Sequence, residues 1–286
     1  MKTLSTLKKD MDFNGSFSSI VEVLKNIAVS QFRALEKKIK SQAEFLSVIN
    51  SFFEFLDSEN LEHPFLRPKE KKQMVVAVTS DSGLLGSLNR YVINAAVKEI
   101  ESMPSRLVVV GERGKLYAKE MGIPFVAFPG ITDEKRYYQA MQLRDYLTNR
   151  IGKESIFYLK VVYPRPVSFT VQRIEIASLL PYTPGNKRRS GQETGPLDII
   201  IESAPEDIFS YLVYLLIGHN LYEIFGLSRL AEFAARFAHL EESSERLKEA
   251  QTKLRLQYFR VRHELVDRNM RELFSARLLF AGKHPQ

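Results

Sequence analysis

In residues 75–92, VVAVTSDSGLLGSLNRYV, a run of β-branched residues ends in Thr79, Ser80 and Asp81. It passes Gly83 and Gly86 and enters an amphipathic segment at Asn89. Hydroxyl and carboxylate side chains beside glycines, between a strand and a helix, are the materials of a phosphate-binding loop. The spacing argues otherwise. A Walker A loop needs G-x-x-x-x-G-K-[ST] and a dinucleotide loop G-x-G-x-x-G, whereas Gly83-Leu84-Leu85-Gly86 matches neither and no lysine follows. A second Gly–Lys site, GERGKL, beginning at Gly111, also has the wrong spacing and no hydroxyl residue. The loop is therefore read as structural: Ser80 and Asp81 cap the next helix or bond loop amides, and the glycines permit a tight turn.

Other chemistry is sparse. The five histidines, His63, His219, His239, His263 and His284, form no H-x-x-x-H pair and have no acid cluster beside them, and there is no cysteine. No metal, no cofactor and no catalytic residue is expected. Glu241, Glu242 and Glu245 share a helical stretch with Ser243 and Ser244 and read as a solvated face. More pointed is the basic set Lys253, Arg255, Arg260, Arg262, Arg268, Arg271 and Arg277 near the C-terminal end.

Long elements must position these residues. Residues 17–57 contain neither Gly nor Pro, and Leu24, Ala28, Phe32, Leu35, Ile39, Leu46, Ile49, Phe53 and Leu56 recur at three- and four-residue steps. That stripe predicts one helix of about 40 residues, roughly 60 Å long. HPFLRPKEKK then reads as a linker. Strand candidates QMVVAVTS, RLVVVGE, PFVAFPG, SIFYLKVVYP, TVQRIEIASLLP and LDIIIES alternate at first with helix candidates at residues 86–103, 112–121 and 133–151. The alternation predicts a mainly parallel, Rossmann-like α/β sheet. PYTPGNKRRSGQETGP reads as a surface loop between two strands.

Pro205, Glu206 and Asp207 then announce a helix. No further proline follows until near the end of the chain, and Phe233, Phe237, Leu240, Ser244, Leu247, Gln251, Leu254, Tyr258, Val261 and Leu265 keep a heptad-like step. Up to about 75 residues, roughly 110 Å, are continuous in this reading. The two terminal helices are expected to pair as a long antiparallel coiled coil. The chain then divides into an N-terminal helix (1–62), an inserted α/β domain (63–204) and a C-terminal helix (205–286). The first helix covers only half of the second, so one end of the latter, where Arg268 and Glu272 interrupt the stripe, lacks a partner within the chain.

Composition bounds the rest. The chain has 286 residues, 44% hydrophobic and 26% charged, with a formal net charge of +7. These are globular values with a preference for acidic partners. No apolar run of membrane-spanning length is read, and the start lacks the apolar stretch of a signal peptide.

Three stretches carry a resemblance to a known family. TSDSGLLGSLN resembles T-S-D-R-G-L-C-G-G-L-N of the gamma subunit of F-type ATP synthases. AEFAARFAHLEESSERL is similar to that family's S-E-H-A-A-R-M-V-A-M-K-A-A-T-D-N-A, keeping Glu232, Ala234, Ala235 and Arg236. LRLQYFRVRHELVDRNMREL follows L-x-L-x-Y-N-x-A-R-Q-x-x-I-T-x-E-L-x-E-I, keeping Leu254, Leu256, Tyr258, Arg262 and Glu272. More weakly, VLKNIAVSQF parallels A-M-x-M-V-A-A-S-K-M.

The resemblance implies a central rotor shaft, not an enzyme on its own, that couples ion flow through a membrane sector to ATP synthesis or hydrolysis. Implied partners are the catalytic and non-catalytic headpiece subunits, an epsilon-type small subunit and the membrane rotor ring, with no nucleic acid and no membrane span of its own. The implied place is the cytoplasmic face of a bacterial inner membrane. Contacts with the surrounding ring would fall on Gln31, Arg236, Arg262, Asp267, Arg268 and Arg271.

Departures stand at Ser82 and Leu85, where the family has Arg and Cys, and at Gln31, where it has Lys. Asp267, Arg268, Asn269 and Met270 replace the family's residues at and after the Thr of I-T-x-E-L. They imply a divergent member, such as a subunit of an alternative rotary ATPase. The rival reading is a nucleotide-dependent α/β enzyme dimerised through its long helices; a coiled-coil adaptor on nucleic acid comes third.

Overall fold

The structure, a computed structural model, describes residues 3–39, 48–49, 51–53, 63–66, 68, 70–182 and 203–281. Two compact units divide the chain: Val29–Arg236, and Met1–Ala28 together with Phe237–Gln286.

The larger unit is built on a five-stranded sheet of order β3-β2-β1-β4-β5. Its strands are β1 (Gln73–Val78), β2 (Ser105–Val110), β3 (Phe125–Phe128), β4 (Tyr158–Pro166) and β5 (Gln172–Leu180). The first four run parallel, and β5 returns antiparallel to β4. All six residues of β1 are buried, as an unbroken apolar run in a sheet covered on both faces requires. Val75 and Ala77 point to one face, where they meet Val92, Ile93 and Ala96 of α2 (Leu88–Glu101) and Ala118 of α3 (Glu112–Glu120). Met74, Val76 and Val78 point to the other. There they meet Leu143 and Leu147 of α4 (Arg136–Glu154), and Phe209, Val213 and Phe225 of α5 (Pro205–Ala281).

The predicted mainly parallel α/β sheet is thus present. Five of the six strand candidates are strands; LDIIIES lies outside the described residues except for Ser203, as does most of the loop before it. Helix α4 starts and ends three residues later than expected. Its entry turn is held by Gln139, whose side chain accepts from Thr132 N (2.9 Å) and donates to Gly130 O (2.8 Å). Its end comes at Ser155, which takes a left-handed conformation (φ 52°), so that Gly152 does not stop the helix.

The first helix is a larger correction. Helix α1 spans Leu4–Glu36, 33 residues, followed by a turn in which Lys38 and Ile39 both donate to Leu35 O (2.9 and 3.1 Å). Residues 48–49 and 51–53 are helical again; the other positions between 40 and 57 lie outside the described residues. No Gly or Pro makes the break. The single apolar stripe serves two clusters: Phe32, Leu35 and Ile39 pack with Leu230, Phe233 and Ala234, whereas Ile49 and Phe53 join the cluster on the sheet.

Helix α5 is continuous for 77 residues, with Pro205 at its start and Glu206 and Asp207 in its first turn. It also corrects the expectation of no membrane-length apolar run. One 18-residue window reaches a mean hydropathy of 1.3, enough by length and composition, but half of it is buried within the protein. The burial of Phe209, Val213, Ile217 and Phe225 among the core residues accounts for that apolarity.

In the smaller unit Leu7, Asn14, Val21 and Ala28 of α1 are buried at seven-residue steps, and Leu240 and Ser244 of α5 are buried too. Asn14 donates to Leu247 O (3.1 Å) and Gln251 Oε1 (2.8 Å), while Lys25 pairs with Glu241 at 2.9 Å. Ascending positions on α1 meet descending ones on α5, so the two helices pack antiparallel, as expected. From residue 262 to Arg277 every described side chain of α5 is exposed.

Candidate functional site

The glycine loop is closed on itself. Thr79 is buried; its N–H donates to Val110 O at 2.9 Å, and its hydroxyl donates to the same carbonyl while accepting from Gly114 N (3.0 Å). Ser80 N donates to Asn89 Oδ1 (3.1 Å), Asn89 Nδ2 donates to Ser80 Oγ (2.8 Å), and that hydroxyl donates to Ser82 O (2.8 Å). Asp81 Oδ1 accepts from Glu112 N at 2.9 Å, and Arg113 N donates to Ser80 O at 3.0 Å. The amides of Thr79 and Ser80, and those of Glu112, Arg113 and Gly114 beside them, are therefore engaged by protein acceptors.

The capping expectation needs correcting. Neither Ser80 nor Asp81 caps the next helix: the N-cap of α2, Ser87, makes no side-chain cap bond, and Asp81 serves the first amide of α3. The glycines of GERGKL also find their use here. A Cβ on Gly111 (φ 97°) would strike the Thr79 carbonyl, and one on Gly114 the Thr79 hydroxyl. The positive φ angles of the turn fall on Leu84 (64°) and Gly86 (55°). Gly83 instead gives room to Arg113, whose Nη2 stands 3.1 Å from the place of a Cβ.

The structure brings this loop against α5. Leu85 is buried with Leu88 and Ala235, and Arg236 donates to Ser82 Oγ at 2.6 Å. Next to that contact Glu232 is 2% exposed and accepts from Arg229 Nη1 at 2.6 Å, while Arg229 Nε pairs with Asp133 Oδ1 at 3.0 Å. Burial pushes the Glu232 carboxyl up to about 7, against the pull of Arg229 and Arg236, and burial likewise lowers Arg236. Sequence reasoning missed Arg229 and Asp133; the i,i+3 spacing of Arg229 and Glu232 was the available signal.

The remaining expected residues fall in different units. Gln31 is exposed beside buried Phe32, in the same unit as the loop. Arg262, Asp267, Arg268 and Arg271 lie on the exposed end of α5. There Arg268 approaches Glu272 at 3.7 Å, and Arg271 Nε donates to Asp267 O at 3.2 Å. Leu265, Val266, Met270, Leu273 and Phe274 are exposed among these charges. Arginines interleaved with large apolar side chains have the composition of a protein–protein contact surface.

The comparisons agree with this picture. A family model described as ATP synthase matches residues 3–277. The ATP synthase gamma chain of Syntrophobacter fumaroxidans is 26% identical over 289 residues, covering 96% of this chain and 97% of that one. That of Chlorobium phaeobacteroides is 23% identical and covers 99% and 100%. Among solved structures, a chain of the Euglena gracilis mitochondrial ATP synthase OSCP/F1/c-ring assembly superposes with a TM-score of 0.70 at 18% identity, covering 99% of this chain and 96% of that chain. A chain of the Tetrahymena thermophila central stalk and c-ring gives 0.59 at 17% identity, covering 79% and 99%. With one family model spanning nearly its whole length, the chain belongs to the ATP synthase family.

Proposed function

We propose that this chain is the gamma-type central shaft of a rotary F-type ATP synthase. It couples ion flow through a membrane rotor ring to ATP synthesis or hydrolysis in a catalytic headpiece. The observation that carries the reading is the end of α5: sixteen successive exposed positions, 262–277, alternating arginines and large apolar side chains with no covering element among the described residues. A helix gains most of its stability from packing, so a bare apolar stretch of this kind calls for an external sleeve.

The headpiece subunits would supply that sleeve, contacting Arg262, Asp267, Arg268 and Arg271, with Gln31 and Arg236 as further contacts. An epsilon-type subunit and the rotor ring would meet the inserted domain, for which we keep the boundaries 63–204. In this reading the subunit carries no catalysis of its own. It works as a peripheral protein on the cytoplasmic face of a bacterial inner membrane, the curated relatives named above being bacterial.

Affinity purification of the tagged chain from its source tests the reading. Headpiece and rotor-ring subunits should copurify, and the isolated chain should bind ATP or NAD no better than millimolar by calorimetry. A micromolar isotherm on the free chain, without such partners in the eluate, would return the nucleotide-enzyme reading.

A further inference from the structure

Helix α5 carries a four-residue repeat, Tyr214, Gly218, Tyr222, Gly226, and α4 lays two arginines across it, Arg144 and Arg136, eight residues apart. The two crossings are near copies. The Arg144 guanidinium lies 3.8 Å from the Tyr214 ring centroid and that of Arg136 lies 4.3 Å from Tyr222. Gly218 and Gly226 make the space: a Cβ there would stand 3.0 Å from Arg144 Cδ in the first case and 2.8 Å from Arg136 Nη1 in the second.

The copies differ in one group. At the first crossing the residue after the arginine is Asp145, whose Oδ1 takes Arg144 Nε (2.9 Å), Arg144 Nη2 (2.8 Å) and the Tyr214 hydroxyl (2.9 Å). At the second the following residue is Tyr137, and Arg136 donates only Nη2, to the Tyr222 hydroxyl at 2.6 Å. Arg136 is 6% exposed, and its Nε and Nη1 are buried with no acceptor among the described residues. A buried guanidinium with two donors unanswered is among the costlier arrangements a fold can hold. Arg136 is also the first residue of α4, whose N-cap Lys135 makes no side-chain cap bond, and the positive end of that helix adds to the same field.

We propose that Arg136, with Tyr222, is a binding site for a carboxylate. The group would take at Nε the place that Asp145 takes at Arg144 and accept the Tyr222 hydroxyl as Asp145 accepts that of Tyr214. Arginine suits the task because its fork presents Nε and an Nη to one carboxylate together. The ligand is either a small free carboxylate or an acidic side chain of a neighbouring subunit.

The test uses the full chain labelled with 15N at arginine, titrated with sodium acetate against sodium chloride at constant ionic strength. Acetate should raise the melting temperature by a few degrees and shift the Arg136 Nε–H resonance, and Arg136→Met should abolish both responses. Tyr137→Asp, which places a carboxylate where Asp145 stands in the other copy, should melt higher than wild type without acetate and no longer respond to it. This second variant keeps the test decisive if Arg136→Met fails to fold. If acetate is silent on the free chain but Tyr137→Asp loosens retention of the subunit in its purified complex, the carboxylate belongs to a partner and the site stands. Acetate silence together with wild-type retention of both variants overturns it; the acetate measurements do not depend on the rotor reading.

Discussion

Two regions named by the same family resemblance behave in opposite ways. In the loop from Thr79 to Asn89 the Thr79 hydroxyl, the Ser80 amide, the Asp81 carboxylate and the Ser82 hydroxyl find partners inside the chain, in Val110, Asn89, Glu112 and Arg236. On α5 beyond residue 261 the side chains answer mainly to solvent, with one loose pair at 3.7 Å and one local bond at 3.2 Å. The loop resembles a ligand site and functions as a clasp, whereas the helix end resembles a solvated face and has the composition of a contact surface. Satisfaction of hydrogen-bonding groups, rather than residue type, separates the two.

The largest expected consequence is in amide hydrogen exchange. In the free chain, amides of the clasp such as Gly114 should exchange about 1,000-fold more slowly than those from Tyr258 to Arg277, because an unpacked helix opens at almost no cost while the clasp opens with its core. In the assembled complex the helix end should become protected. Equal protection of the helix end in both states would mean that it has a partner within the chain and that the contrast is wrong.

The second consequence separates free from assembled energetics. Arg268 is exposed, with a side-chain exposure of 67%, so Arg268→Ala should leave the melting of the isolated chain unchanged. If a partner carboxylate meets it away from water, truncation costs about 2–5 kcal/mol in the complex, because the partner charge is left buried. ATP turnover of the assembled enzyme should then fall further for Arg268→Ala than for Arg277→Ala, which stands nearer the terminus. Wild-type turnover and assembly by both variants would remove these arginines from the contact surface.

A third consequence lies under the clasp. The Glu232 carboxyl stands at about 7 in the folded chain against an ordinary value of 4.5. A raised carboxyl means the folded state binds the proton more tightly. Its contribution is therefore fully present below pH 4.5 and is lost as pH rises through 7, by about 3 kcal/mol across that window. Relative to wild type, Glu232→Gln should show a flatter dependence of stability on pH between those limits. Parallel denaturation curves for the two proteins across that range would show that Glu232 is ionised throughout.

The contrast also shows which parts of the molecule were legible in the sequence. The unbroken run of β1 and the strand–helix alternation announce a parallel sheet because burial on both faces writes itself into composition. The bare end of α5 was legible from length, because the second helix outlasts the first and Arg268 and Glu272 interrupt its stripe there. Where two distant segments decide the outcome, periodicity says little. Helix α1 ends at Glu36 with no breaker in its sequence, because Ile39 and Ile49 belong to different clusters. Of the two roles open to Asp81, capping the next helix or bonding an amide of the turn, the first failed through topology. In a parallel pair, the end of β1 lies beside the end of β2, with Val78 opposite Val110, and so beside the helix that follows β2. Arg136 could not be read at all: nothing in a single helical residue says that its acceptor is missing.

The smallest expected effect tests the clasp bond by bond. Helix α3 has only nine residues, and its N-cap is Gly111, which has no side chain to offer. Asp81 supplies the missing acceptor from 31 positions away, at 2.9 Å from Glu112 N, and its charge faces the positive end of the helix. Gly130 is part of the same arrangement, since a Cβ there would collide with the Asp81 carboxylate. Asp81→Ala should therefore cost about 0.5–2 kcal/mol in urea denaturation, the range for losing a helix cap. Asp81→Asn, which keeps an acceptor and loses only the charge, should recover most of that loss. Because the bond is internal, the cost should be the same in the free chain and in the complex, unlike that of Arg268→Ala. An Asp81→Ala chain that unfolds at the wild-type midpoint would show that the Glu112 amide is served as well by water, and the loop would lose its standing as a clasp.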